Sequence, residues 1–159
     1  KPTNVMATPP GPSCLTDSPL LLPGDAGCRD IFLIDFELAG PNYRGFDLCK
    51  LFRTASPGPG TARNRRAFME AYHRRAAGRE PTAADVELLL AEADLFLPLT
   101  WMEAGVFFLF ASVSDGAQEG RWRGLAEDRL GNYRGAMEEF EANVERYKRA
   151  KAEVEAQRP

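Results

Sequence analysis

Residues 31–48, IFLIDFELAGPNYRGFDL, close an apolar run on two carboxylates, Asp35 and Glu37, and follow them with Asn42, Tyr43, Arg44, Gly45 and Asp47. The run from Ile31 to Phe36 is broken only by Asp35, which suits a strand covered on both faces. The period-two geometry of a strand then turns Asp35 and Glu37 to one side. Paired carboxylate oxygens are donors that a hard cation takes up. A strand-end acid equally caps a turn or pairs with a cation such as Arg44, and the spacing leaves both roles open. Arg44 is expected to pair with an acid, and Asp47 to cap the helix that follows, where a carboxylate also favours the helix dipole. His73 is the one histidine of the chain. It stands between Tyr72 and Arg74 in a helical pattern, so a surface or partly packed role is expected of it rather than that of a catalytic base.

The elements that must hold these residues follow from the periodicity. NVMA at 4–7 reads as a short strand, and residues 8–28 are so rich in Pro, Gly and Ser that a flexible surface loop is expected. A second strand covers 31–36. From Phe46 the spacing turns helical through Leu48, Leu51 and Phe52, and SPGPG at 56–60 stops it. A helix over 62–77 carries Phe68, Met69, Tyr72 and Ala76 as one apolar stripe, ends at Gly78, and leaves Arg65, Arg66, Arg74 and Arg75 on a solvated face. Thr82 is the N-cap of the next helix with Asp85 at the capping-box position, and Pro98 ends or kinks that helix after about Leu97. Another helix covers 99–114. Residues 122–157 read as one long C-terminal helix whose Tyr133, Met137, Phe140, Val144 and Tyr147 form a seam against a neighbour.

The stretch LFLPLTWMEAGVFFLFASV, residues 95–113, holds a single charge and passes a hydropathy filter for a membrane span. Glu103 at its middle, Pro98 within it and amphipathic neighbours point instead to a helix buried at the centre of a helical lobe. Trp101, Trp122, Phe107, Phe108 and Phe110 fall at core spacings and are expected to pack.

The chain has 159 residues, 44% of them hydrophobic, which is the size of one domain with a sizeable core. Twenty basic against 23 acidic residues give a net charge of -3, so nothing global draws it to nucleic acid or an anionic membrane. Cys14, Cys28 and Cys49 lack the CxxC spacing of a zinc site and the even count of a disulfide framework, which fits a reducing, cytoplasmic compartment. The first residues lack the order of a signal peptide, and the opening at Lys1 leads to the expectation of a piece of a longer protein.

IDFE followed by NYRGFD at this separation resembles the metal-binding strand and following helix of the choline/ethanolamine kinase family, a branch of the kinase-like phosphotransferases. KPTNV is similar to the end of that family's catalytic loop, in which a His-x-Asp is followed after four residues by an Asn, here Asn4. No catalytic residue is then expected within the chain; the catalytic Asp would lie just before Lys1. EADLFLPLTWMEAGVFFLFAS and GLAEDRLGNYRGAMEEF fall where the family has its long buried helices and a C-terminal segment. The likeness covers about residues 1–140, with its sharp motifs in the first fifty or so.

The resemblance implies an α/β, mostly helical fold. Residues 1–159 would be a partial C-terminal lobe, with a small strand pair at 4–7 and 31–36 carrying metal ligands beside a helical bundle. It implies Mg²⁺ and ATP as cofactors, with Asn4 and Asp35 binding metal and nucleotide and Glu37 a second ligand or the orienter of a metal-bound water. The reaction would be phosphoryl transfer to a small amino alcohol for phospholipid head groups. Family members selective for choline surround its quaternary ammonium with aromatic rings. Here Pro41-Asn42-Tyr43 stands where the family has Tyr-Asn-Tyr, an ungapped alignment puts Ala104 and Phe107 where it has two Trp, and Leu125 replaces a Tyr. Glu103 becomes the candidate acceptor for a primary ammonium, with Phe107 beside it, and ethanolamine the preferred substrate. A homodimer is compatible with this reading; nucleic-acid partners and a membrane span are not expected. The chain holds no Gly-rich nucleotide loop and no His-x-Asp, so by itself it is expected to be inactive. The rival reading is a pseudokinase-like helical interaction module whose partner surface is the Tyr133 to Tyr147 seam.

Overall fold

A computed structural model describes residues 40–53 and 58–157, together with the backbone of 5–7 and 31–33. The chain divides into two units, Lys1–Pro41 and Asn42–Pro159. In the first, the described backbone includes two three-residue segments, Val5–Ala7 and Ile31–Leu33, that run antiparallel with Val5 opposite Leu33. The α/β expectation is corrected here. The interpretable part is 87% helical, a helical bundle, and the predicted strand pair reaching residue 36 as a ligand-bearing sheet is not seen. Three residues per segment is half the usual strand, too short to bury a face of its own.

The second unit comprises α1 (Arg44–Phe52), α2 (Pro59–Ala77), α3 (Ala83–Leu95), α4 (Leu97–Ser114), a single 3-10 turn (Gly116–Gln118), α5 (Glu119–Glu138) and α6 (Phe140–Ala156). Its core joins Leu48 and Cys49 of α1, Met69 of α2 and Val86, Leu89 and Ala93 of α3, with Phe68, Tyr72, Leu90, Phe96 and Leu97 packed around them. The α2–α3 hairpin forms as expected. Gly78 takes a left-handed φ of 66° and donates its N–H to the Arg74 carbonyl at 3.0 Å, a conformation that favours glycine. Thr82 and Asp85 make a full capping box at the start of α3. Asp85 is buried, and both its oxygens also accept from the Arg79 guanidinium, at 2.8 and 2.9 Å, so one carboxylate fastens the turn to the helix.

The NYRGF run owes much of its composition to the docking of α1 on α3. Arg44 donates two hydrogen bonds from Nε and one, at 2.7 Å, from Nη2 to the Glu92 carboxylate, the acid that its sequence called for. Tyr43 stacks on the Phe96 ring at 6.0 Å, and Phe46 meets the same ring edge-on at 6.3 Å. A Cβ on Gly45 would lie 2.7 Å from Phe96 carbons and 2.9 Å from the Glu92 carbonyl oxygen, so only glycine permits this approach. Asp47 sits in the first turn of α1, but no side chain caps that helix; the expected cap is replaced by a charge favourable to the dipole.

Three further expectations are corrected. The long helix over 122–157 is two helices, α5 and α6, separated at Glu139 with φ -96° and ψ -3°. The break lets α5 follow α4 while α6 turns to lie on α3, two partners that one straight rod cannot serve. The buried residues there are Ala126, Ala136, Ala150 and Val154, while Met137 of the expected seam is exposed. The arginines of α2 are not all a solvated face: Arg65 reaches Asp94 at 2.6 Å, and Arg146 of α6 binds the other oxygen of the same carboxylate at 2.7 Å and Glu87 at 2.6 Å. Finally, α4 is not buried all round. Ala104, Gly105 and Ser112 face inward, whereas Leu99, Met102, Val106, Phe110 and Val113 line an exposed stripe, Val113 at 85%. By length and composition alone, Ala83–Ser114 is long and apolar enough to cross a membrane.

Two outcomes test this packing. Gly45→Ala forces a methyl group against backbone, and urea unfolding should show a loss of about 1–3 kcal/mol. Gly105→Ala would crowd the Leu130 side chain, Cδ2 at 2.8 Å and Cγ at 3.0 Å, rather than backbone at such close range, and gains helix propensity of up to about 1 kcal/mol, so its loss should be smaller. For Asp85, the Arg79 hydrogen bonds hold the carboxyl well below the usual range. The unfolded chain therefore takes up this proton at a higher pH than the folded one. The stability Asp85 contributes is present above the unfolded value of about 3.9 and drains away as the pH falls below it. Asp85→Asn should cost about 1–3 kcal/mol at neutral pH, and the gap to the parent should narrow on acidification from about pH 5 to about pH 3. A gap independent of pH contradicts the assignment.

Candidate functional site

Of the residues that sequence singles out, Asn4, Asp35 and Glu37 lie outside the described residues, and Glu103 and Phe107 lie within them. Among the described residues no group of three or more His, Cys, Asp or Glu is arranged to hold a metal ion. At the start of α1 the chain makes a local turn: the Asn42 Oδ1 accepts the Tyr43 N–H at 2.8 Å, and the Tyr43 carbonyl accepts the Phe46 N–H at 3.0 Å. Asn42, Arg44 and Gly45 of the motif are thereby committed to structure.

Glu103 faces α1. Its carboxylate is 3.2 Å from Lys50 Nζ and 3.8 Å from Arg53 Nη1, and about half of its side chain is exposed. Arg53 also donates to the Thr100 carbonyl and lies over the Trp101 ring at 5.0 Å, with Arg129 of α5 against that ring at 5.4 Å. Burial pulls the Arg53 guanidinium below its ordinary value, and the Glu103 charge works against that. Beneath this cluster Cys49 contacts the Thr100 hydroxyl at 3.6 Å, and burial pushes its thiol up.

Phe107 stands one turn beyond Glu103 on the same side of α4 and is 56% exposed. It meets Phe108 edge-on at 5.4 Å, and Phe108 stacks on Trp122, whose Nε1 donates to Asp115. The expectation that the aromatic cluster packs is met by Phe108 and Trp122, which are half-buried against each other, and fails for Phe107 and Phe110, which lie on the open face of α4. Together, Glu103 and Phe107 offer a carboxylate and an aromatic face to a cationic group, with Lys50 and Arg53 as internal competitors for the carboxylate.

Sequence reasoning missed a different grouping. His73 Nε2 lies 3.4 Å from Asp85 Oδ1, on the wall of a cavity of about 560 Å³ between α2, α3 and α6. The signal was faint: His73 precedes and Asp85 follows the Gly78 turn, so an antiparallel hairpin brings them level. No protein-family model, no curated protein and no solved structure matches this chain.

Proposed function

We propose that the chain is part of the C-terminal lobe of an ATP- and Mg²⁺-dependent kinase that phosphorylates a small amino alcohol, ethanolamine in preference to choline. The observation that carries this reading is the pairing of IDFE with NYRGFD, together with the way Arg44, Gly45, Tyr43 and Phe46 anchor α1 to α3. Asp35 and Asn4 would supply oxygen ligands to Mg²⁺ bound with ATP, Glu37 would be a further ligand or would orient a metal-bound water, and the metal would supply charge neutralisation for phosphoryl transfer. Glu103 accepts from the primary ammonium of the substrate, with the Phe107 ring beside it. An exposed ion pair of the Lys50–Glu103 kind contributes little, so a well-placed ammonium can displace it.

A second reading, a helical interaction module without catalysis, is favoured by the open apolar stripe of α4, which is the kind of surface that a partner covers. Turnover by the full-length protein separates the two. With ATP and Mg²⁺ it should phosphorylate ethanolamine, and absence of turnover with either amine favours the module.

Two variants test the residues. Asp35→Ala should lower kcat/KM roughly a thousandfold or more with an unchanged circular-dichroism spectrum, because the metal supplies several kcal/mol of stabilisation. Near-normal turnover refutes the ligand role. Glu103→Gln should raise KM for ethanolamine roughly ten- to a hundredfold, the loss of a charge-assisted hydrogen bond of about 1.5–3 kcal/mol, and change KM for choline far less. Equal weakening of both substrates with a lower Tm makes Glu103 a structural partner of Lys50 and Arg53 instead.

A further inference from the structure

The open face of α4 carries a pattern of its own. Leu99, Met102, Val106, Leu109 and Val113 follow one another at steps of three, four, three and four, the alternation by which one helix meets another along a shared line. The helix turns Ala104, Gly105 and Ser112 inward, so this line is left unused within the described residues: its exposure runs from 39% at Met102 to 85% at Val113, and Phe110, at 69%, widens it. At the usual areas of such side chains these six residues expose on the order of 600 Å², most of the about 800 Å² that each partner gives to a stable interface. No charged residue belongs to the line. The acid beside it, Glu103, is held by Lys50 and Arg53, so covering the line strands no unpaired charge.

The composition of the line points to a second copy of the chain. Interfaces between partners that also live apart are only about as apolar as the rest of a protein surface, roughly 56–58%, whereas those between identical subunits run to about 65% and are poor in charge at their centre. A two-fold axis also demands a surface that complements itself. This one does, because Leu99 and Val113 stand equally far from Val106 and the steps alternate between three and four from either end. We propose that two copies pair through α4, antiparallel across a two-fold axis beside Val106, with Leu99 of each copy toward Val113 of the other. The pairing uses neither Glu103 nor Phe107 and rests on neither reading of the function.

Sedimentation equilibrium at micromolar concentration should give twice the 17.6 kDa of one chain, with a mass that falls on dilution. Val106→Lys sets an ammonium beside the axis in each copy, hydrated in the single chain and stripped of water in the pair, and should raise the dissociation constant roughly a hundredfold or more. Position 106 is exposed, so the circular-dichroism spectrum should not change. In a chain carrying Cys14→Ser and Cys28→Ser, a short bis-maleimide should join Val106→Cys to its counterpart in the other copy. It should not join Val113→Cys, which the antiparallel arrangement places about 20 Å from its own counterpart. A chain that stays monomeric overturns the proposal, as does a dimer that Val106→Lys leaves intact, or a cross-link at position 113 in place of 106. So does a single copy that floats with phosphatidylcholine vesicles, since lipid is then the cover.

Discussion

The close approach of α1 to α3 is the constraint on which much of the second unit depends. It occurs at Gly45, where the Glu92 carbonyl and the Phe96 ring leave no room for a side chain. Phe96 is also the residue at which α3 ends and α4 begins, so the ring that receives Tyr43 and Phe46 stands at the corner of the α3–α4 angle. The Arg44–Glu92 pair is half exposed on the arginine side, and pairs of that kind contribute little energy. Its worth lies in register. A two-point fork from a planar guanidinium fixes both the height and the rotation of α1, and so decides that Leu48 and Cys49 turn inward while Lys50 reaches Glu103.

A second constraint comes from the size of the core. Among the described residues the largest fully buried side chains are Met69, Leu89 and Thr100, and much of the rest of the core is alanine. Alanine lets helices approach but specifies no unique depth, so polar groups set the arrangement. Asp94 accepts from Arg65 of α2 and Arg146 of α6, and Arg146 extends to Glu87, which ties three helices through two carboxylates. Such partly buried networks add little net energy but penalise a slipped register, because sliding α6 by one residue strands Arg146 away from both acids.

What the amino-acid sequence disclosed was what is local. The α3 start is written in Thr82 and Asp85 three positions apart, and the α2 end in Gly78, because both depend on bonds within one turn. The pairing of Arg44 with an acid was legible, but its partner stands 48 residues away and had no local mark. The division of α5 from α6 was hidden because Glu139 is no helix breaker; the bend is set by the two partners, α4 and α3. The strand pair was inferred from a continuous apolar run, a pattern whose length and hydropathy do not by themselves establish a sheet. Of the candidate residues, Glu103 and Phe107 share one helix four positions apart, a relation local in sequence, whereas the cations that hold Glu103 come from α1, and only the folded arrangement brings them there.

The open stripe of α4 limits what can cover it. Hydropathy alone would allow lipid, but Asp85, Glu87, Glu92, Asp94 and Glu103, all within Ala83–Ser114, each pair with a cation from elsewhere in the chain. Within the apolar stretch 95–113 Glu103 is the one charged residue, and carrying it across a bilayer would part it from Lys50 and Arg53 and leave an acid in hydrocarbon, at about 2.5–3.5 kcal/mol near the centre. The exposed apolar residues of α4 are Leu99, Met102, Val106, Phe107, Leu109, Phe110 and Val113, while the opposite side is occupied by α5 through Ala104, Gly105 and Ala126. α4 is thus apolar on both sides, one packed against α5 and one open, and that is why its hydropathy stays high along its whole length.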